Sequence, residues 1–324
     1  IGNRGCKVGF NMDSIISLYN ILKQDIFDEE GFNKFIKTKG TQEFLEHQKN
    51  IDGRLNIEGI RDEVKRVVLH ENYKDKYEFY LIKKNIEKLY KDIYYIQKNE
   101  EQIIAEALHR VYKIVPKDMM VGSNIYLYGG GMDGGFTINR KKVFINYGKY
   151  IGHREEFVKV LSHELYHSRN FSIKSRFIFF LKMFLNTNRL TYEVIGKSLE
   201  EGIACLVQHG SILKTDDPVG TLTKRNLILL KEELDRLNDI LLKIKSGKGT
   251  HRDIKTLNIY AIGYHIVSTI YNAEGVLPLD DWTLNLEYAR IIEIYIETCN
   301  SCNIPSGFTK EIEEWIVCEK GEFL

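Results

Sequence analysis

The chain has 324 residues, of which 43% are hydrophobic and 28% charged, so it can form a packed core and is not an intrinsically disordered protein. Its 46 Lys and Arg residues and 45 Asp and Glu residues give a formal net charge of +1, which gives no electrostatic reason to expect nucleic acid as a partner. The five cysteines are an odd number, so they do not form a complete disulfide framework.

Apolar residues in the first third of the chain recur at steps of three and four residues. The repeats run from Asp13 to about Val115, and this spacing is typical of amphipathic helices. Pro116 ends the pattern because proline disfavours a helical conformation for the residue before it. We therefore predict an N-terminal helical region over residues 1–116.

Residues 121–150 have a different composition. β-branched and aromatic runs at 125–128 and 142–146 are separated by glycines at 129–131 and 134–135. Such runs bounded by glycine predict two or three short strands joined by tight turns. No other segment predicts strands, so the expected fold class is α+β, predominantly helical, with a small glycine-rich sheet.

Helical periodicity resumes at Glu155 and continues to the C-terminus. The most apolar segment, residues 177–185, has about half of the roughly 20 residues that span a bilayer and is interrupted by Lys182. It predicts a buried core helix and no transmembrane segment. We divide this part of the chain into a catalytic core over 117–275 and C-terminal helices over 276–324 that pack on the core. Further helices are predicted at 223–245, 254–271, 286–298 and 309–318.

An HExxH pattern lies in the helix that begins near Glu155. His163 and His167 are about one turn apart, so both imidazoles lie on one face and can bind one ion. Glu164 projects beside this pair, where it can reach an attacking water without being a ligand. The apolar neighbours predict a mostly buried helix, which disfavours the alternative of two solvated surface histidines. The pattern therefore predicts a zinc site.

A catalytic zinc ion takes three protein ligands and keeps a fourth position for water. Glu200 and Glu201 lie together in an apolar helical pattern at 194–207. A pair of carboxylates in such a helix is costly unless a cation neutralises at least one of them. Either glutamate can therefore supply the third ligand.

The HExxH at 163–167 followed by Glu201-Gly-x-Ala204 resembles the gluzincin branch of the HExxH metallopeptidases, including several bacterial families of predicted zinc peptidases. The resemblance implies a zincin-like catalytic core, one Zn²⁺ per chain and Glu201 as the third ligand, with Glu200 as the alternative. The interval between His167 and Glu201 is longer than in the zinc aminopeptidases. The residues after His167 lack the glycine and third histidine of a metzincin.

Zincins place an edge strand beside the active-site helix, where the backbone of an extended substrate can pair. The resemblance implies that this strand lies within 134–138 or 142–146. Gly134, Gly135 and Phe136 are the expected substrate-binding residues, and the glycines would let a substrate backbone approach closely.

The resemblance also implies a tyrosine or histidine that donates a hydrogen bond to the oxyanion. Tyr264 and Tyr260 are the candidates, with His265 beside them, and packed core aromatics are the alternative. Glu164 would act as the general base toward water and then protonate the leaving amine. The expected function is zinc-dependent hydrolysis of a bond in a peptide or protein substrate.

A non-catalytic, zincin-like binding module with a structural zinc is the alternative function. Cys205, one turn after Glu201, is the thiol that could close the fourth position of such a site. An aminopeptidase is a further alternative, but the sequence lacks that class's motif for a substrate amine, so an endopeptidase is favoured. The first residues given show neither the basic nor the apolar region of a signal peptide, so we expect either a cytoplasmic location or export with the signal removed. The oligomeric state stays open.

Overall fold

The computed structural model describes residues 8–185 and 189–318, with the backbone alone at 182–185. Residues 1–7, on which the expectation about an export signal depends, lie outside these ranges. The chain divides into two units by its internal contacts. The first unit contains the residues up to Arg110 together with Met120–Arg169. The second unit contains Val111–Met119 and the residues from Asn170 onward. This division does not test the domain boundaries expected at 116 and 275, which stay a prediction.

The first unit is built around a four-stranded mixed sheet in the order β1-β2-β4-β3. β2 is parallel to both β1 and β4, and β3 is antiparallel to β4. The expectation that residues 121–150 contain all of the strands is wrong, since β1 lies outside that range. The sequence did not indicate β1 because its three residues are too few to show an alternating pattern. The strands are β1 (Gly9–Asn11), β2 (Asn124–Tyr128), β3 (Gly135–Ile138) and β4 (Lys142–Asn146).

Eight helices accompany this sheet in the described part of the chain, in agreement with the predicted helical periodicity. Two of them begin at the expected kind of capping residue: Asp28 accepts a hydrogen bond from the Gly31 amide, and Asn56 accepts one from the Gly59 amide. The helices are α1 (Asp13–Leu22), α2 (Glu29–Lys37), α3 (Lys39–Ile51), α4 (Ile57–Leu69), α5 (Phe79–Lys84), α6 (Ile86–Lys98), α7 (Glu100–Val111) and α8 (Arg154–His167). A 3₁₀ turn at Tyr147–Lys149 lies between β4 and α8.

Helices cover both faces of the sheet. On one face, Phe44 of α3 stacks on Tyr128 of β2 with ring centroids 5.2 Å apart. On the other face, α8 packs against β3 and β4, and its Phe157 contacts Phe10 of β1 at 5.9 Å. Ile125 and Leu127 of β2 are fully buried. The sheet therefore provides a packed surface that supports α8, the helix that carries the HExxH motif.

The second unit is entirely helical within the residues that the structure describes. Its most extensive packing joins α11 to α15, and α15 also packs on α17. The helices are α9 (Ile173–Leu185), α10 (Arg189–Thr191), α11 (Lys197–His209), α12 (Lys224–Ile228), α13 (Leu230–Lys245), α14 (His251–Ile254), α15 (Ile259–Glu274), α16 (Asp280–Asn285), α17 (Tyr288–Ser301) and α18 (Lys310–Cys318). A π-helical segment, Tyr192–Gly196, leads directly into α11.

Two of the predicted helices have different bounds in the structure. The helix expected over 223–245 is interrupted at Leu229, which separates α12 from α13. The helix expected from 254 begins at Ile259, because the Asn258 side chain caps its N-terminus by accepting a hydrogen bond from the Ala261 amide.

The apolar segment at 177–185 forms a helix, but the expectation of a buried core helix is wrong. Phe177 is 60% exposed and Phe180 is 56% exposed, in the part of the segment whose side chains the structure describes. The opposite face of α9 is packed, since Phe179 contacts the Tyr192 ring at 5.7 Å. No helix in the described ranges combines the length and the apolar character that crossing a membrane would take.

Candidate metal centre

A buried carboxylate fixes the start of helix α8. Asp92 of α6 accepts hydrogen bonds from the Gly152 amide at 2.7 Å and from Arg154 Nε at 2.9 Å. The Arg154 guanidinium lies over the Tyr95 ring, 4.0 Å from its centroid. The position of the helix is therefore determined partly by α6, which is some sixty residues earlier in the chain.

The HExxH motif lies in the buried part of α8, as the apolar flanks predict. His163 and Glu164 are each 7% exposed, and His167 is half-buried. The two imidazole rings are on one face of the helix with centroids 5.1 Å apart. This burial excludes the alternative of a solvated helix with surface histidines.

Thr137 of β3 holds the carboxylate of Glu164. Its Oγ1 donates a hydrogen bond to Glu164 Oε2 at 2.7 Å. Gly135, two residues earlier, lies on the same face of the strand, and a Cβ there would lie 3.5 Å from Glu164 Cγ. The same Cβ would lie only 2.8 Å from the Phe144 carbonyl oxygen, so the strand pairing favours glycine at this position. Sequence reasoning missed Thr137, although strand alternation from Gly135 could have indicated it.

The turn between β2 and β3 is organised by the buried side chain of Asn146. Its Nδ2 donates to the carbonyl oxygens of Gly130, Gly131 and Asp133, and its Oδ1 accepts from the Gly130 amide at 3.2 Å. Gly130 and Gly131 have φ values of 105° and 86°, a region that favours glycine. The glycine cluster therefore serves the turn that positions β3 beside α8.

Phe136, an expected substrate-binding residue, lies on the sheet face opposite Thr137. It stacks on Phe144 at 4.9 Å and on His47 of α3 at 4.0 Å. His47 Nε2 lies 2.7 Å from Asp133 Oδ2, so the carboxylate of Asp133 pairs with His47. Sequence reasoning gave no signal for His47, which is far from the motifs along the chain.

Strand β3 is one edge of the sheet and β1 is the other, whereas β4 lies between β2 and β3. Of the two segments expected to offer a free strand edge, 134–138 is therefore the one that has it. Nearby, burial raises the pKa of the Tyr128 phenol, and Asp133 and Glu164 raise it further by their negative charge. Tyr128 is thus a protonated hydroxyl close to these two acids.

Helix α11 carries the second motif and is packed through glycine. A Cβ at Gly202 would lie 2.2 Å from the Gly263 carbonyl carbon of α15, and a Cβ at Gly263 would lie 1.7 Å from the Ser198 carbonyl oxygen. The glycine after Glu201 is therefore required by the close approach of two helix backbones. Gly263 is required by the same close approach.

Glu200 and Glu201, adjacent in α11, have different surroundings. Glu200 Oε2 accepts a hydrogen bond from Trp282 Nε1 at 2.8 Å. The Trp282 ring also packs against Gly196, where a Cβ would lie 2.7 Å from ring atom Cη2. Trp282 therefore fixes the Glu200 side chain at the beginning of α11.

His163, His167 and Glu201 form a group that could hold a metal ion. Each offers one ligand atom, and these atoms all lie within 4.8 Å of one another. No other group of three His, Cys, Asp or Glu side chains meets this criterion in the described ranges. Two imidazoles and one carboxylate are the ligand set of a catalytic zinc site that keeps a position open for water.

Residues 32–303, most of the chain, match the model of a protein family described as "Putative zinc dependent peptidase (DUF5700)". The chain belongs to this family. No curated protein and no solved structure matches it. The family description agrees with the expected zinc cofactor and peptide substrates, while the gluzincin details and the roles of single residues stay predictions.

The other candidate residues of this DUF5700 member lie in an apolar cluster of the second unit. Tyr264 packs there with Cys205 and Leu213, and Tyr260 packs at its border. Tyr264 Oη donates a hydrogen bond to the Gly210 carbonyl oxygen at 2.7 Å. Burial raises the pKa of both Tyr264 and Cys205, so each keeps its proton.

His265 is half-buried on α15. Its ring meets the Tyr295 ring edge-on with centroids 5.9 Å apart. Burial lowers its pKa below the ordinary value for histidine, which favours the neutral imidazole.

Proposed function

We propose that this chain is a zinc peptidase of gluzincin type with a zincin-like core, in which His163, His167 and Glu201 hold one Zn²⁺ and Glu164 is the general base. The observation that carries this proposal is the convergence of the three ligand atoms within 4.8 Å. Membership of the DUF5700 family supports the same reaction class.

The three side chains suit zinc by their chemistry. Neutral imidazoles and a carboxylate are common zinc ligands, and three of them leave the open position that distinguishes a catalytic site from a closed structural one. A bound zinc ion would supply Lewis acidity, which polarises a carbonyl and makes a water nucleophilic near neutral pH.

Glu164 is placed to move the proton. It follows a proposed ligand directly but points toward β3, where Thr137 donates to one of its carboxylate oxygens. That bond leaves the second oxygen to accept a proton from the attacking water and to pass it to the leaving amine. Thr137 is a positioning residue in this proposal, because it fixes the carboxylate without contacting the substrate.

Glu201 is favoured over Glu200 as the third ligand. Glu201 belongs to the group of converging ligand atoms, whereas the Glu200 carboxylate accepts a hydrogen bond from Trp282. Each glutamate then has its own task, one at the metal and one in holding α11 against α16.

The edge of β3 is the proposed substrate platform. An extended peptide could add to this edge as a further strand, with Gly134 and Gly135 allowing its backbone to come close. Phe136 would contribute by supporting the strand from the opposite face, where it stacks on His47.

The roles of Tyr264 and Tyr260 in binding an oxyanion stay predictions. The Tyr264 hydroxyl donates to the Gly210 carbonyl, and Tyr260 packs at the border of the same cluster. The alternative of a structural zinc closed by Cys205 gains no support, since this thiol is 1% exposed within that cluster and is not in the converging group.

The deciding experiment measures zinc content and peptide cleavage in the same preparations. Glu164→Gln should keep one zinc per chain by elemental mass spectrometry and lose about a thousandfold in kcat/KM on a fluorogenic peptide library. Glu155→Gln is the matched control, because it makes the same change on an exposed position of α8 and should alter neither quantity.

The ligands are tested by His163→Ala and Glu201→Gln, which should both lose zinc, while Glu200→Gln should keep it. Cleavage retained by Glu164→Gln would contradict its role as the base. Zinc absent from the wild-type protein after incubation with zinc would contradict the whole site.

A further inference from the structure

The outward face of α9 is apolar, although a helix on a protein surface usually turns its polar side to solvent. Ile173 is 86% exposed, Phe177 is 60% exposed and Leu181 is 37% exposed. Steps of four residues place these three side chains in one stripe along the helix. The inward face is packed through Phe179 on Tyr192 and through α16, so the helix is held with its apolar stripe outward.

Basic residues border this stripe. Lys174 and Arg176 are exposed on either side of it, and neither forms an ion pair with an acidic side chain in the described ranges. From residue 170 to residue 192 the sequence contains four Lys or Arg residues and no Asp or Glu. This local positive charge contrasts with the nearly neutral chain, whose net charge is +1.

We propose that α9 is an interfacial helix that binds the surface of an anionic lipid membrane, with its apolar stripe among the acyl chains and its basic residues at the headgroups. An apolar stripe bordered by cations is the pattern of helices that lie in the plane of a membrane. The helix has 13 residues and is about 20 Å long, which is shorter than the roughly 30 Å of a bilayer core. It therefore lies on the membrane and does not span it.

Charge favours lipid over a second copy of the chain. Two α9 helices packed together would bring Lys174 and Arg176 of both copies near each other, with no acidic residue in the segment to compensate. An anionic membrane instead attracts the basic residues near its surface, and each of them raises the binding constant about fivefold.

The test is vesicle flotation of the full-length protein. The vesicles are made of phosphatidylcholine with a phosphatidylglycerol content that is raised from none to about 40%. Wild-type protein should bind the anionic vesicles, and binding should fall at high salt. Phe177→Ser should weaken binding about tenfold, and Lys174→Gln with Arg176→Gln should weaken it about 25-fold, the product of two losses of about fivefold.

Ile228→Ser is the matched control. Ile228 of α12 is 80% exposed, so this change also removes an exposed apolar side chain, and it should leave vesicle binding unchanged. Far-UV circular dichroism verifies that each variant is folded.

Three outcomes would overturn the proposal. The first is that the wild type binds no vesicle, and the second is that the wild type and Phe177→Ser bind vesicles equally. The third is that light scattering shows a wild-type dimer that Phe177→Ser dissociates, while neither protein binds vesicles. None of these results depends on zinc or on peptidase activity, so the proposal stands or falls separately from the proposed function.

Discussion

Helices α8 and α11 carry the two motifs, and they are held in place by different means. α8 is held by polar side chains: Asp92 binds its first turn, and Thr137 binds Glu164 in its third. α11 is held by backbone contact, where Gly202 and Gly263 let two helices approach more closely than any Cβ would allow. Substitutions can weaken a polar contact gradually by removing one hydrogen bond at a time. In contrast, a single added Cβ at either glycine prevents the close approach of the two helix backbones.

The largest effect should come from Gly263→Ala. The new Cβ would lie 1.7 Å from the Ser198 carbonyl oxygen, so α15 has to move away from α11. We expect the free energy of unfolding of the second unit to fall by about 3 kcal/mol. Urea unfolding followed by tryptophan fluorescence measures this unit, because both tryptophans, Trp282 and Trp315, belong to it.

The control for that variant is Gly53→Ala. A Cβ at Gly53 would meet nothing within 4 Å, so the same change should leave the unfolding midpoint unchanged in far-UV circular dichroism, which reports on the helices of both units. An unfolding midpoint of Gly263→Ala equal to that of the wild type would show that the two helices tolerate a larger separation.

The polar support of α8 should respond less severely to Asn146→Ala. This variant loses the hydrogen bonds to the turn before β3 and should cost about 2 kcal/mol, because buried backbone groups lose their partner. Hydrogen exchange measured by mass spectrometry should show faster exchange in residues 129–138. Asn124→Ala, at an exposed asparagine of β2, should not change this exchange. Unchanged protection in Asn146→Ala would mean that the glycine turn holds its shape without this side chain.

Thr137→Val tests the contact between β3 and Glu164. Valine keeps the shape but removes the hydroxyl that donates to Oε2, so we expect kcat on the peptide library to fall about tenfold with KM unchanged. Thr137→Ser restores the hydroxyl and should recover most of the rate. If the serine variant is as slow as the valine variant, the hydrogen bond is not what positions Glu164.

The smallest effect concerns pH and the half-buried imidazole of His265. Burial lowers its pKa in the folded protein, so below the ordinary value of 6.5 the unfolded chain takes up the proton first. The free energy of unfolding of the second unit should therefore fall as the pH falls below about 6.5. His265→Phe keeps a ring beside Tyr295 and removes this titration, so its fluorescence midpoint should depend less on pH. Identical pH profiles for the two proteins would contradict this assignment.

Much of the local structure could be predicted from the sequence because its signals are local. Apolar periodicity predicted α8, and the spacing of His163 and His167 on one helix follows from helix geometry alone. The glycine-bounded strands were also predictable. Strand β1 was not, since Gly9–Asn11 is too short for a pattern and becomes a strand only by pairing with β2.

Contacts between distant residues were beyond the sequence. No pattern along the chain links Thr137 to Glu164 or His47 to Phe136, and these pairs meet only because α8 and α3 pack on the sheet. The burial of α9 was predicted wrongly for a related reason: an apolar sequence indicates that a surface prefers to leave water, but the tertiary structure decides which surfaces have a partner in the same chain.

The sequence by itself therefore determined the helical class, the strand segments between residues 124 and 146 and the HExxH pair, because each depends on residues close together along the chain. The tertiary structure decided that Glu201 joins the two histidines while Glu200 binds Trp282, and that Thr137 holds Glu164. The physical reason is that neighbouring glutamates have the same local propensity, and only the groups that packing brings to each carboxylate distinguish them.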